Sequence, residues 1–151
     1  PISKVLMACS AVKPHFDPIE LGPYRLSDGY IFNKNPSSIA LDYGKMYFPD
    51  DLIYLVSIGT GKPPKTDMDE VEQKALKTHL MLSELQKKTT DFKYIRFQPK
   101  LKRADFAMDN TAPENISALV EDGYDFVKQN QSLIDEIAAV IGERDLKMSY
   151  Y

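Results

Sequence analysis

A chain of 151 residues is about one domain, long enough for a real core and short for most complete hydrolases; 43% hydrophobic and 27% charged residues are ordinary for a soluble globular protein. A net charge of −3 gives no basic face for nucleic acid, so no nucleic-acid partner is expected, and the lone Cys9 excludes an internal disulfide and leans toward a reducing, cytoplasmic compartment. No apolar run approaches the roughly 18 residues needed to cross a bilayer, and the N-terminus does not read as a signal peptide.

The first segment, "KVLMACSA", is a short buried run, strand or helix, and periodicity does not distinguish the two. It begins with almost no lead-in, as expected of the middle of a protein. "VKPHFDPIELGPY", rich in proline, predicts a loop. "YRLSDGYIF" predicts a strand, a Ser-Asp-Gly turn and a re-entrant strand. In "NPSSIALDYGKMYF", Asn35 is the expected N-cap and Pro36 the first helical residue; Ile39, Ala40 and Tyr43 share a face, and Gly44 is expected to end the helix. "DLIYLVSIGTGKPP" contains the clearest strand, Leu52 to Ile58, whose unbroken apolar run reads as buried on both faces in a parallel sheet. Gly59 and Gly61 break it and let the backbone turn closely off the strand end.

A helix of about five turns is expected in "MDEVEQKALKTHLMLSELQKK", with Val71, Ala75, Leu82 and Leu85 at helical spacing. "FKYIRFQP" alternates as a strand closed by Pro99. In "NTAPENISALVEDGYDFVKQN", Thr111 and Glu114 fit a capping box with Pro113 in the first turn, and Ile116, Leu119, Val120, Phe126 and Val127 form the expected buried stripe. "SLIDEIAAVIGERD" is a last amphipathic helix. Peripheral membrane contact through it is an alternative, but Asp135 and Glu136 on its polar face, with no flanking basic cluster, favour core packing or oligomer contact. One α/β unit is the economical reading.

Several familiar site patterns fail. "GTGK" is no phosphate loop, because Val56 stands where the first glycine belongs and Pro63 follows Lys62. "DMDE" near residue 67 lacks the glycine and distal glutamate of a calcium loop and reads as a helix N-terminus. His15 and His79 have no metal-ligand spacing and read as surface or loop histidines, so neither metal nor cofactor is expected. No G-x-S-x-G occurs, and Ser57 lacks the first glycine of such an elbow. Asp28 remains. Before a glycine it is by default a turn residue bonded to its own backbone.

The order of segments resembles the C-terminal half of patatin-like lipid acyl hydrolases. "MACSAVKPHF" is similar to that family's A-T-S-A-A-P-x-x-F, matching at Ala8, Ser10, Ala11 and Phe16. "SDGYIFNKNPS" resembles D-G-G-x-x-x-N-N-P-S, which sets Asp28 on the catalytic aspartate and Asn35-Pro36-Ser37 on the helix-opening triplet. "LVSIGTG" is similar to the strand and turn S-x-G-T-G, and "FQPKLKRADFAMDNTAPENISAL" to the closing stretch with D-x-x-S/T-P-E-N. Departures are Tyr30 for the second glycine, Val12-Lys13 for alanine-proline, and Asn33 and Lys34 where alanine and asparagine are usual.

What the resemblance implies is a three-layer α/β fold, a patatin-like sheet flanked by helices, with residues 1–151 forming the C-terminal part of a single catalytic domain. It implies hydrolysis of phospholipid or other acyl esters, of phospholipase A or lysophospholipase type, by a Ser-Asp dyad without histidine. Asp28 would accept the serine proton, and Ala8, Ser10, Ala11, Phe16, Gly29 and Tyr30 would border the acyl groove. The serine in G-x-S-x-G and the glycine-rich oxyanion loop belong to an N-terminal portion, the expected partner; this chain alone is expected to be inactive. The alternative is a non-catalytic patatin-like scaffold or interaction module, since fold does not guarantee chemistry.

Overall fold

The computed structural model describes residues 2–61, 68–107 and 109–148, with the side chains of 143–148 left aside. Lys62 and Pro63, on which the phosphate-loop reading fails, Asp67 of the acidic segment and Met108 of the closing stretch lie outside the described residues. The chain divides into two compact units, residues 1–58 with 67–97, and residues 59–66 with 98–151.

The first unit opens with helix α1 (Ile2–Cys9), which resolves the ambiguity of "KVLMACSA" toward helix. The proline-rich stretch expected as loop carries a short strand β1 (Ile19–Leu21), paired antiparallel with β2 (Tyr24–Leu26). Gly22, at φ 59°, supplies the left-handed residue that this tight hairpin requires. No re-entrant strand follows Asp28. The chain coils instead into a 3₁₀ turn, Gly29–Ile31, because the Asp28 side chain takes up the Tyr30 N–H and closes the backbone locally.

Helix α2 (Ser37–Tyr47) does not stop at Gly44. Gly44 sits inside it where the helix meets β3 (Ile53–Ile58): a Cβ on Gly44 would stand 3.0 Å from Ile53 Cδ1. The glycine marks close helix-to-strand packing rather than a terminus. Helix α3 (Glu70–Leu85) begins at the Asp69 cap, whose carboxylate accepts the Glu72 N–H, and buries Ala75 and Leu82. Strand β4 (Phe92–Phe97) then pairs parallel with β3, from Ile53 against Phe92 to Ile58 against Phe97. Leu41, Leu82, Phe92 and Tyr94, with Ile53 and Leu55 against them, form the core. The expected burial of β3 on both faces fails at its far end, where Val56 is 37% and Ile58 78% exposed. Ile39 and Tyr43 of α2 are exposed as well.

In the second unit, Gly59 lies so close to Gln98 that a Cβ would collide with that side chain, and Gly61, at φ 105°, packs on Leu101. Helix α4 (Pro113–Gln129) has Ala112 at its N-cap and no side-chain cap, so Thr111 does not form the expected capping box. Its buried residues are Asn115 and Asp122, seven apart on one face, while Ile116, Leu119, Val120 and Val127 of the expected buried stripe are exposed. The reason is polar. Asp122 Oδ2 accepts the N–H groups of Lys102 (2.8 Å), Arg103 (3.0 Å) and Ala104 (3.3 Å), and Oδ1 accepts Arg103 Nη1 (2.9 Å). Asn115 Oδ1 accepts the Asp105 N–H (2.7 Å) while its Nδ2 donates to Asn110 O (2.9 Å). These bonds turn the polar face of α4 onto the loop 102–110. Helix α5 (Gln131–Met148) follows.

Burial alone would raise the Asp122 carboxyl, but the N–H groups of Arg103, Lys102 and Ala104 and the Arg103 guanidinium outweigh it and hold it at about 2. A carboxyl depressed in the folded state stabilises above its unfolded value, about 4, and that contribution fades as pH falls through the folded value. The urea midpoint is therefore expected to drop between pH about 4 and about 2, and Asp122→Ala to flatten that drop. At neutral pH Asp122→Ala leaves three part-buried N–H donors without their acceptor and costs about 2 kcal/mol in urea unfolding. Gly61→Ala, at a φ that side chains rarely adopt, costs about 1–2 kcal/mol in the same assay.

Candidate active site

The corner that carries Asp28 is fixed from below by one carbonyl. Ala11, buried just past α1, accepts the Asp28 N–H at 3.1 Å and the Ser27 hydroxyl at 2.7 Å. Two donors on one acceptor hold residues 27 and 28 against the end of the 8–11 segment. From above, Asp28 Oδ1 accepts the Tyr30 N–H at 2.8 Å, and the N–H groups of Phe32 and Asn33 close onto Gly29 O at 2.9 and 3.0 Å. One carboxylate oxygen is thus engaged in the turn. Among the described residues the other, Oδ2, has no hydrogen-bond partner, and the residue is half-buried.

The residues expected to border an acyl groove divide into two sets. Ala11, Gly29 and Tyr30 surround Asp28 through the bonds just described, and Ala8 is buried one helical turn before Ala11. Ser10 instead closes α1, its hydroxyl donating to Met7 O at 3.1 Å and Leu6 O at 3.4 Å, and Phe16 is exposed. The Tyr30 ring carries Lys34 Nζ 5.9 Å from its centroid. Among the described residues no cluster of histidine, cysteine, aspartate and glutamate is arranged to hold a metal ion.

Asn35, which sequence reasoning treats as a helix cap alone, is the hub of the unit. It is 0% exposed. Its Oδ1 accepts the Ser37 N–H and hydroxyl and the Ser57 hydroxyl (3.3 Å); its Nδ2 donates to Ala75 O (3.2 Å) and Tyr94 OH (3.4 Å). Its own N–H donates to Asn33 Oδ1 at 2.9 Å. One side chain therefore ties the segment after Asp28 to α2, α3, β3 and β4. Arg96 Nη1 donates to Ser57 Oγ at 2.6 Å and extends the chain of bonds to a cavity of about 200 Å³ lined by Lys34, Ser37, Ser57, Ile58 and Arg96 among others. Lys34 donates to Asp69 Oδ2 (3.1 Å) and Glu72 Oε1 (3.4 Å); burial opposes its charge, but these two carboxylates hold its ammonium above the ordinary lysine value. The Asn-Pro pair before a helix was the available signal for Asn35, and it announced only the Ser37 contacts. His79, expected at the surface, is half-buried on α3 and tilted against Tyr94.

Removing the Asn35 amide breaks contacts to four elements at once. Asn35→Ala is expected to cost about 3 kcal/mol in urea unfolding, and Tyr94→Phe, which removes a single acceptor, about 1 kcal/mol.

Comparison with known proteins places phospholipases beside this chain. Calcium-independent phospholipase A2-gamma of Mus musculus is 27% identical over 156 residues, covering 93% of this chain and 20% of the mouse protein. The Homo sapiens protein of that name is 26% identical over 93% of this chain and 19% of its own length. Phospholipase A I of Arabidopsis thaliana is 28% identical over 89% of this chain and 11% of its own length. The chain thus spans about a fifth or less of the length of the curated relatives it matches. No family model matches, and no solved structure matches. The resemblance to patatin-like phospholipases is accordingly matched by homologues of that kind across most of the chain. The mixed α/β class is borne out as well.

Proposed function

We propose that this chain is the C-terminal portion of a patatin-like catalytic domain and supplies the aspartate of a Ser-Asp dyad that hydrolyses phospholipid or other acyl esters. The observation that carries the reading is the division of labour in the Asp28 carboxylate: Oδ1 is held by the Tyr30 N–H while Oδ2 has no bond among the described residues. A general base needs both properties, a fixed position and a lone pair within reach of the proton it takes. Ala11 fixes the main chain and the 3₁₀ turn fixes the side chain.

In this reading a serine hydroxyl on another portion of the polypeptide donates its proton to Asp28 Oδ2 as its oxygen attacks the ester carbonyl. The alkoxide leaving group takes the proton, leaving an acyl-serine, and Asp28 then deprotonates the water that releases the fatty acid. Main-chain donors of a glycine-rich segment outside this chain stabilise the oxyanion, so residues 1–151 alone have no route to turnover. The three-layer sheet, a cytoplasmic setting and peripheral contact with a lipid surface belong to the same proposal. The names of the mouse, human and Arabidopsis relatives support the substrate class. A scaffold without chemistry is favoured by one specific feature, the Tyr30 side chain, which stands beside Asp28 where the family pattern has a second glycine.

Assay of a short-chain aryl ester distinguishes the two. The polypeptide that joins these residues to a G-x-S-x-G segment is expected to turn over the ester and to take a serine-directed fluorophosphonate. Asp28→Asn is expected to lower kcat about a thousand-fold with folding unchanged. Turnover by the isolated chain refutes the proposal, and so does an Asp28→Asn variant as active as the parent.

A further inference from the structure

A cavity of about 280 Å³ lies in the second unit, between the segment after β4 and helix α4. Local geometry builds both of its walls. Leu101 is buried and packs on Gly61, so its exposed neighbours Lys100 and Lys102 turn the other way, and Gln98 joins them at the same two-residue spacing. The opposite wall is one stripe of α4, formed by Asp122, Asp125, Phe126 and Gln129 at helical spacing.

The charges are sorted by wall. On the α4 side Arg103 is shared among Glu121, Asp122 and Asp125, and one guanidinium against three carboxylates leaves that wall negative. Asp122 has both oxygens occupied, by the N–H groups of Lys102, Arg103 and Ala104 and by Arg103 Nη1. Asp125 gives Oδ2 to Arg103 Nη2 at 2.9 Å, and its Oδ1 has no partner among the described residues. On the loop side the wall is positive. Among the described residues no ion pair or hydrogen bond holds the ammonium of Lys100 or Lys102.

We propose that this cavity binds a phosphoethanolamine group, its phosphate on the Lys100 and Lys102 ammoniums and its own ammonium on Asp125 Oδ1 and the Gln129 side-chain carbonyl. Walls of opposite charge complement a ligand that carries both signs. A bare phosphate leaves the carboxylate wall unanswered, and a bare amine leaves the two lysines unanswered. The ammonium is primary because quaternary ones are recognised by aromatic cages, and Phe126 is the single aromatic side chain in the lining. Size agrees: ligand cavities run upward from roughly 300 Å³, and one at the bottom of that range holds a head group and not an acyl chain. A membrane lipid and free phosphoethanolamine share this chemistry. The inference goes beyond ester hydrolysis, and occupancy of the cavity needs no turnover.

Amide NMR spectra of the isotope-labelled 151-residue chain, titrated with phosphoethanolamine, test the assignment. The amides of Lys100, Lys102, Asp125 and Gln129 are expected to shift together and to saturate in the millimolar range. Inorganic phosphate, ethanolamine and phosphocholine are each expected to bind about ten-fold more weakly, since each forfeits at least one charge-assisted bond. Lys100→Met combined with Lys102→Met, both at exposed positions, is expected to lower phosphoethanolamine affinity at least about ten-fold. Asp125→Asn is expected to weaken phosphoethanolamine about ten-fold and to leave inorganic phosphate unweakened. Gln129→Ala, which keeps the Arg103 pairs, is expected to weaken it too and replaces Asp125→Asn if that variant fails to fold. Vesicles separate the two sources. Retention on mixed phosphatidylethanolamine and phosphatidylcholine vesicles, lost in the lysine variant, identifies a lipid head group; binding in solution without retention identifies the free compound. Each upholds the site. Absence of the shifts overturns the proposal. So does inorganic phosphate binding as tightly as phosphoethanolamine, and so do shifts that survive the lysine variant.

Discussion

A fully buried primary amide sets the terms for the first unit. Asn35 has two donors and two acceptor lone pairs, and in an apolar interior each one left unmet costs more than the bond returns when made. Here the amide group is met from every side: Ser37 and Ser57 donate to Oδ1, and Ala75 O and Tyr94 OH accept from Nδ2. Because these partners come from α2, α3, β3 and β4, one arrangement of the four elements satisfies the amide and neighbouring arrangements do not. Apolar contacts among Leu41, Leu82, Phe92 and Tyr94 supply cohesion without direction. The amide supplies the direction.

The consequence reaches Asp28. Between Ala11, which holds the main chain at residue 28, and Asn35, which is locked into the core, only a short span remains, and the 3₁₀ turn and the Asn33 side chain take it up. A carboxylate placed on such a span keeps its position without a dedicated partner for both oxygens. This separates it from an ordinary turn aspartate, whose loop is anchored only by the bond the aspartate itself makes. The same geometry makes the turn reading and the proposed catalytic reading of Ser-Asp-Gly compatible: Oδ1 serves the turn, and Oδ2 is left for the role proposed above.

Elements with a strong repeat were legible in the sequence. The apolar run at 53–58, the alternation at 92–97 and the helical spacing of Ala75 and Leu82 all appear where pattern placed them. What pattern missed depends on partners remote in sequence. Gly44 looks like a helix stop until Ile53 is seen against it. Asn35 looks like a cap because its Ser37 contacts are local, whereas Ala75 and Tyr94 lie 40 and 59 residues away. At the Asp28 corner turn chemistry named the bond that forms, the aspartate to its own backbone at Tyr30, and missed that a 3₁₀ turn and not a re-entrant strand follows.

Helix α4 shows why hydrophobic periodicity failed in one place. Its apolar stripe is real in the sequence, yet the face turned inward in this unit is the one bearing Asn115 and Asp122, since these satisfy main-chain groups of Lys102, Arg103, Ala104, Asp105 and Asn110 that have no other partner among the described residues. Leaving Ile116, Leu119, Val120 and Val127 exposed forfeits up to about 2 kcal/mol per side chain, while stranding the loop N–H groups of Lys102, Arg103, Ala104 and Asp105 costs as much for each. The polar side wins because a carboxylate accepting several N–H groups is both directional and charge-assisted. The result is a helix with one face bound to the loop by hydrogen bonds and an apolar face left exposed. The exposed end of β3, at Val56 and Ile58, repeats that pattern in the first unit. There too the sequence spends β-branched residues on a surface that the described residues leave uncovered.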